Sequence, residues 1–259
     1  MEKVISVENK IKIGTTVPIT VYCGNSPELL VMKCQNKYQN GKALFNELIG
    51  YRVSKALSLP VPAFKIIRLP QSIIDSNQQL QNINAKPGEC FASKWIKATS
   101  GALPTYFRYA SNKDDFPGIL FVDQLLMNID RGENPGNWLF EKETQKITLI
   151  DFGSIFRIAQ IWDKYSLEQD MKAPLEVLDA LDGPIYKNMI SQINRKHAFS
   201  KISRKVKNLT DATKESFFND IPSSWGIDSS GLKEAKEFIY FQLDRYQDII
   251  NILKKHFKF

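Results

Sequence analysis

Three short runs of this chain constrain its fold most: Asn128-Ile129-Asp130-Arg131, Asn137-Trp138-Leu139-Phe140 and Ile147-Thr148-Leu149-Ile150-Asp151-Phe152-Gly153. They put an Asp on a loop, an Asn at the start of an apolar strand, and a second Asp followed by Phe-Gly at the end of another strand. The residues between Asn137 and Asp151 suffice for strand, polar turn (141–145) and strand, so the pattern predicts a hairpin with charged ends. A phosphoryl-transfer site needs this set. One carboxylate orients the attacking hydroxyl, while an Asn and an Asp hold Mg²⁺ against phosphates. Asp-Phe-Gly alone says little, because any surface turn can carry it. An ordinary hairpin with polar ends is the competing reading.

The composition narrows the alternatives. A chain of 259 residues forms one large domain or two packed lobes, and 43% apolar with 24% charged residues is ordinary for a soluble globular protein. Neither a signal peptide nor a membrane span is expected. Cys23, Cys34 and Cys90 are scattered without metal-ligand spacing and read as reduced thiols of a cytoplasmic protein. His197 and His256 are the only histidines, which argues against a zinc site or a Ser-His pair. The formal net charge of +7 favours anionic partners such as nucleotides, acidic proteins or nucleic acid.

Along the first third, strands are expected within 11–22 (two, joined by the Gly14-Thr15-Thr16 loop), at 29–33, 63–68 and 89–96, with a helix over 42–57 ending before Leu59-Pro60-Val61-Pro62. Residues 70–88 read as a polar surface excursion. From residue 118 the pattern turns helical, first over 118–127 and then near 174–181, 184–194, 210–220 and 231–254. The apolar stripe of the last segment is read as core packing. Strands first and helices after make the layout of a two-lobed α+β enzyme, with lobes at 1–96 and 97–259.

The N-terminal part should supply a cation for the phosphates. Lys33 closes a run of four apolar residues, and Glu47 follows 14 residues later on the first helix. A Lys held by a helix Glu would meet nucleotide phosphates with its rotamers restricted. Gly14, Thr15 and Thr16 could offer backbone N–H groups and hydroxyls to phosphate, although a plain hairpin turn explains them nearly as well. Two Asn compete as metal ligand. Asn137 is preferred because the strand starts directly after it, whereas Asn134-Pro135-Gly136 reads as a turn. The tract Arg195, Lys196, Lys201, Arg204, Lys205, Lys207 reads first as a solvated helix face, and second as a docking place for an acidic protein, tRNA or DNA.

Taken in order, these pieces resemble the HipA-like kinase family, a branch of the protein-kinase-like superfamily. The resemblance is carried by Gly14-Thr15-Thr16-Val17-Pro18, Val31-Met32-Lys33, Asn46-Glu47-Leu48, Leu59-Pro60-Val61-Pro62, the three runs above and Ile221-Pro222-Ser223-Ser224-Trp225. It is strongest over residues 10–157 and closest to the compact, single-domain members. It implies a bilobal protein-kinase-like fold, with a small strand-rich N-lobe and a larger helical C-lobe. It also implies an ATP–Mg²⁺-dependent phosphotransferase acting on Ser or Thr of a protein, with autophosphorylation within its reach and an antitoxin-like regulatory partner conceivable.

Under that resemblance Lys33 matches the ATP-contacting lysine and Glu47 its helix partner. Asp130 matches the catalytic carboxylate, Asn137 and Asp151 the metal ligands, and the strand at Phe91–Trp95, with Phe91, Ala92 and Ser93 as its nucleotide contacts, the hinge that meets adenine. Two departures stand out: the family usually has His after Asp-Arg where this chain has Gly132, and Asn137 lies seven residues after Asp130 where the protein-kinase loop has five. The rival readings are a lipid or small-molecule kinase of the same fold, a nucleotide-binding pseudokinase, and a nucleic-acid-binding module using the 195–207 tract.

Overall fold

The computed structural model describes residues 1–10, 17–24 and 26–259, the side chains of residues 9 and 10 excepted. The first half is built on an antiparallel sheet of β1 (Val4–Lys10), β2 (Ile19–Cys23), β3 (Leu30–Lys33), β4 (Phe64–Leu69) and β5 (Gly88–Lys94), in the order β1-β2-β3-β5-β4. Between β3 and β4 runs α1 (Gly41–Ala56), capped by the Asn40 side chain, which accepts from Ala43 N. This helix is buried nearly all round, because it lies between the sheet and the helical half. It ends where Leu57 and Ser58 lead into Pro60 and Pro62.

The polar stretch after β4 is more ordered than its composition suggests. It holds α2 (Gln71–Asp75) and α3 (Gln78–Asn82), and buries Ile74, Leu80 and Ile83 in the core of the sheet. The first strand also lies earlier than expected, ahead of residue 11.

A second, three-stranded sheet comprises β6 (Thr99–Ser100), β7 (Trp138–Glu141) and β8 (Lys146–Leu149) in that order. The β7–β8 pair is the expected hairpin, with Trp138 opposite Leu149 and Glu141 opposite Lys146. The helices of this half are α4 (Pro104–Tyr109), α5 (Phe116–Leu126), α6 (Lys164–Lys172), α7 (Pro184–Ile190), α8 (Ser200–Lys207), α9 (Asp211–Ser216), α10 (Ser229–Asp244) and α11 (Tyr246–Phe257), and α7, α8, α10 and α11 pack on α5. Every residue of α5 is buried, so this helix is the axis of the helical half.

Two helical expectations change. Segment 174–178 is not helical, and only a short 3-10 turn follows at Asp179–Asp182. The buried Gln124 side chain explains it. Its oxygen accepts from Leu178 N at 2.9 Å and its nitrogen donates to Glu176 O at 3.0 Å, standing in for backbone partners. The terminal stripe is split at Arg245 into α10 and α11, which pack on α6 and α5, and on α5 and α8, respectively. The whole is a bilobal, protein-kinase-like α+β fold. Among the described residues no helix is long and apolar enough to cross a membrane.

Candidate active site

A cavity of about 420 Å³ opens between the two sheets. Its walls include Lys33, Glu47, Phe91, Ser93, Asp130, Asn137 and Asp151, so most of the residues singled out in the sequence meet in one place. Ala92 does not: its side chain belongs to the other face of the sheet, inside the core formed by β1–β5. Gly14, Thr15 and Thr16 lie outside the described residues.

The lysine end is a buried charge cluster. Lys33 Nζ donates to Glu47 Oε1 and pairs with Asp151 Oδ2 at 2.9 Å. Glu47 Oε2 accepts the Phe152 N–H at 3.0 Å, which fixes α1 to the loop that carries Asp151. Burial alone would push Lys33 down, but Asp151 and Glu47 together hold it above its ordinary value. Glu47 is pushed up to about 7 by burial, against the pull of Lys33. Asp151 is drawn down to about 2 because Lys33 outweighs its burial. A lysine so placed stays charged, as a phosphate contact requires.

Asp151 occupies the left-handed region (φ 62°). Its Oδ1 accepts from Gly153 N at 3.2 Å, a local turn that holds the carboxylate in place. Phe152, which follows, is buried against Tyr51 with ring centroids 5.3 Å apart. This contact requires glycine at position 50, where a Cβ would lie 2.3 Å from Phe152.

The loop after α5 delivers Asp130. Both neighbouring amides reach its Oδ2, Asn134 Nδ2 at 3.0 Å and Asn137 Nδ2 at 2.8 Å. The two Asn differ in what remains. The oxygen of Asn134 is taken by Gly136 N at 2.9 Å in an Asx-type turn. The oxygen of Asn137 accepts no hydrogen bond among the described residues and stays available at the cavity wall. A Mg²⁺ ion fits such a place. Asn137 and Asp151 offer hard oxygen donors, and the ion takes few protein ligands alongside phosphate oxygens. Among the described residues no group of three or more His, Cys, Asp and Glu gathers as an all-protein cage.

Beneath the loop lies a network that sequence reasoning missed. Arg131 and Asp123 are both fully buried and pair at 2.9 Å. The guanidinium also donates to the carbonyls of Asn137 (3.0 Å), Ile150 (2.6 Å) and Asp151 (3.3 Å), and lies 4.5 Å from the centre of the Phe152 ring. Asp123 further accepts from Tyr186 Oη at 2.6 Å and Asn128 Nδ2 at 2.9 Å, and Asn128 Oδ1 accepts the Asp130 N–H at 3.2 Å. One buried ion pair thus ties the loop of Asp130 to both Asn137 and Asp151. Its sequence signal is Asp123, the lone charge inside the apolar helix run 116–126.

Gly132 also has a physical explanation. A Cβ there would lie 2.0 Å from Ala180 O and 3.1 Å from Tyr186 Cδ2. The 178–186 segment fills the space that a family histidine would need.

The backbone of the expected hinge strand is paired within the sheet. Phe91, Ala92 and Ser93 of β5 pair with β3 on one side and β4 on the other. Trp95 N donates to Leu29 O at 2.9 Å. Past it, Ile96, Lys97 and Ala98 make no backbone hydrogen bond among the described residues, and Ile96 and Ala98 line the cavity.

A lysine–glutamate pair from the first sheet, facing an Asp and an Asn–Asp hairpin across a cleft, on this bilobal fold, defines a kinase of the protein-kinase-like class. The profile of the HipA-like kinase family matches residues 4–249, and the chain belongs to that family. Among solved structures it is similar to the Helicobacter pylori proinflammatory kinase CtkA, with a TM-score of 0.59 and 17% identity, over 97% of this chain and 95% of that one. That likeness is one of fold. A search of curated proteins finds no match.

Proposed function

We propose that this kinase transfers the γ-phosphoryl group of ATP to a Ser or Thr hydroxyl of a protein, with 1–96 as the nucleotide-holding lobe and 97–259 as the lobe that orients the acceptor. The observation that carries the proposal is the convergence of Lys33, Asp130, Asn137 and Asp151 on one 420 Å³ cavity. Lys33 meets the phosphates and Glu47 keeps it aimed. Phe91 and Ser93 contribute cavity wall, and the free backbone of 96–98 supplies the hydrogen bonds to the adenine edge. Asp130 takes the acceptor hydroxyl as a hydrogen-bond donor, oriented by the two amides on its Oδ2. Where Mg²⁺ is bound, Asn137 Oδ1 and the Asp151 carboxylate would hold it, and it would supply neutralisation of phosphate charge. Asp130 is half-buried at the wall of the cavity, where an acceptor hydroxyl would meet it.

The test is incubation of the purified protein with γ-labelled ATP, alone and with a cell lysate. Label in Ser or Thr of this protein or of a lysate protein is expected. Label in lipid alone, or none despite tight ATP binding, would replace this reading with a lipid kinase or a pseudokinase.

A further inference from the structure

Residues 184–210 contain seven Lys and Arg and no Asp or Glu. Since the chain has 35 basic and 28 acidic residues, the remainder is balanced at 28 of each, and the whole formal charge of +7 resides in this segment. In the structure the charge is not spread around the molecule. Helix α8 turns Ile202 and Val206 into the core and leaves Arg204 and Lys207 exposed. Helix α11 lies beside it, its first turn joined through Gln247 Nε2, which donates to Ser203 Oγ at 3.2 Å, and its end through Arg195 Nη1, which donates to Lys258 O at 3.2 Å, and the rings of Phe199 and Phe259, 5.4 Å apart. This adds Lys254 and Lys255 of the last turn, both exposed.

The edge of this face already shows what it takes. Lys201 pairs with the carboxylate of Asp115 at 2.6 Å, and His256 Nε2 meets that of Asp182 at 2.8 Å. Away from the edge, Lys196, Arg204, Lys205, Lys207, Lys254 and Lys255 have no carboxylate within 4 Å among the described residues. So many like charges held together repel one another, and an acidic partner relieves that repulsion.

The position relative to the cleft is informative. Asp115 stands just before α5, while Asp130 follows its far end, and 11 helical residues span about 16 Å. The charged face is therefore remote from phosphate chemistry, at a distance that about five extended residues bridge. Phe199 is buried in the core, and Phe257 and Phe259 pack against it, so the phenylalanines of this face are not free platforms for nucleobases, and its exposed rings are those of His197 and His256.

We propose that α8 and the end of α11 form a docking surface for an acidic segment of the protein substrate, lying at least about five residues from the phosphorylated hydroxyl. This rests on the reading of the chain as a kinase with a protein acceptor. The docking segment raises the local concentration of the acceptor and lowers KM without touching the transferred group.

The test has two readouts. Fluorescence anisotropy measures a labelled ten-glutamate peptide on wild type, on Arg204→Glu/Lys205→Glu/Lys207→Glu and on Lys254→Glu/Lys255→Glu. A kinetic assay compares a Ser peptide carrying the same glutamate block with one carrying ten glutamines. Salt-sensitive binding by wild type, weakened at least about tenfold in both variants, with unchanged basal ATP turnover, is expected. The glutamate peptide should show a KM lower by about tenfold at equal kcat, an advantage lost in the variants. Two variants on separate helices guard against a misfolded one, and thermal unfolding checks each. Equal binding by wild type and both variants overturns the proposal. So does a duplex DNA that binds more than tenfold tighter than the peptide at the same salt, because the surface would then serve nucleic acid. Anisotropy needs no turnover, so absence of phosphotransfer by wild type counts separately against the protein-kinase reading.

Discussion

Replacing Asp123 by Ala leaves the Arg131 guanidinium fully buried with no carboxylate beside it. Breaking a buried ion pair from one side costs about 3–5 kcal/mol, since the remaining charge stays desolvated. Tyr186 Oη and Asn128 Nδ2 lose their acceptor as well, each worth up to about 1–3 kcal/mol, though these terms overlap with the first. A total of about 4–6 kcal/mol is expected. A domain of this kind has roughly 5–15 kcal/mol in all, so the variant should sit near its unfolding threshold. Urea denaturation followed by far-UV circular dichroism measures it. The companion variant Asp123→Leu/Arg131→Met removes both charges, and should regain most of the loss because an apolar pair has no desolvation cost. Phosphotransfer should stay low in that double variant, since the guanidinium bonds that hold the carbonyls of Asn137, Ile150 and Asp151 to the loop of Asp130 are then lost. A loss below about 1.5 kcal/mol in Asp123→Ala, or a double variant no more stable than the single, would refute the reasoning.

Further outcomes follow from the same geometry. Asn137→Ala should lower kcat by at least about a hundredfold, as loss of a metal ligand worth several kcal/mol implies, and raise the Mg²⁺ requirement. Asn134→Ala should cost much less, and steady-state kinetics over a Mg²⁺ series decides between them. Glu47, pushed up to about 7, should give an acid limb to phosphotransfer. Below that pH it takes a proton, Lys33 falls wholly to Asp151, and the rate drops; Glu47→Gln should be slow and flat from pH 6 to 8. For stability the two carboxylates act oppositely. Asp151, drawn down to about 2, contributes above its ordinary value of 3.8 and loses that contribution as pH falls through about 2, whereas ionising Glu47 costs stability between 4.5 and about 7. Gly132→Ala should destabilise by about 1–3 kcal/mol in thermal or urea unfolding, because its Cβ meets a backbone carbonyl that cannot swing aside.

What could be read in the sequence was what local pattern records. Polar residues at the ends of apolar strands marked Lys33, Asn137 and Asp151, and the hairpin spacing placed the last two together. The rest depends on contacts between distant segments. Tyr186 reaches Asp123 from 63 residues away, and Gln124 replaces the backbone partners of residues 176–178 from 52 and 54 residues away. Neither leaves a periodic trace. That β5 is an interior strand, paired on both sides, likewise depends on the sheet order β3-β5-β4, which no window of the sequence contains. Arg245 interrupts the terminal stripe without interrupting its apolar pattern, so one long helix was expected where two stand.

The central claim is that Asp130 acts on the acceptor while Lys33 acts on the nucleotide, and one paired measurement tests it. ATP affinity by calorimetry and phosphotransfer by γ-label are determined for wild type, Asp130→Ala and Lys33→Ala. The account predicts that Asp130→Ala binds ATP within about threefold of wild type and transfers at less than about a hundredth of its rate, since this carboxylate touches the nucleotide little. Lys33→Ala should lose both together. Transfer by Asp130→Ala at the wild-type rate would contradict the account.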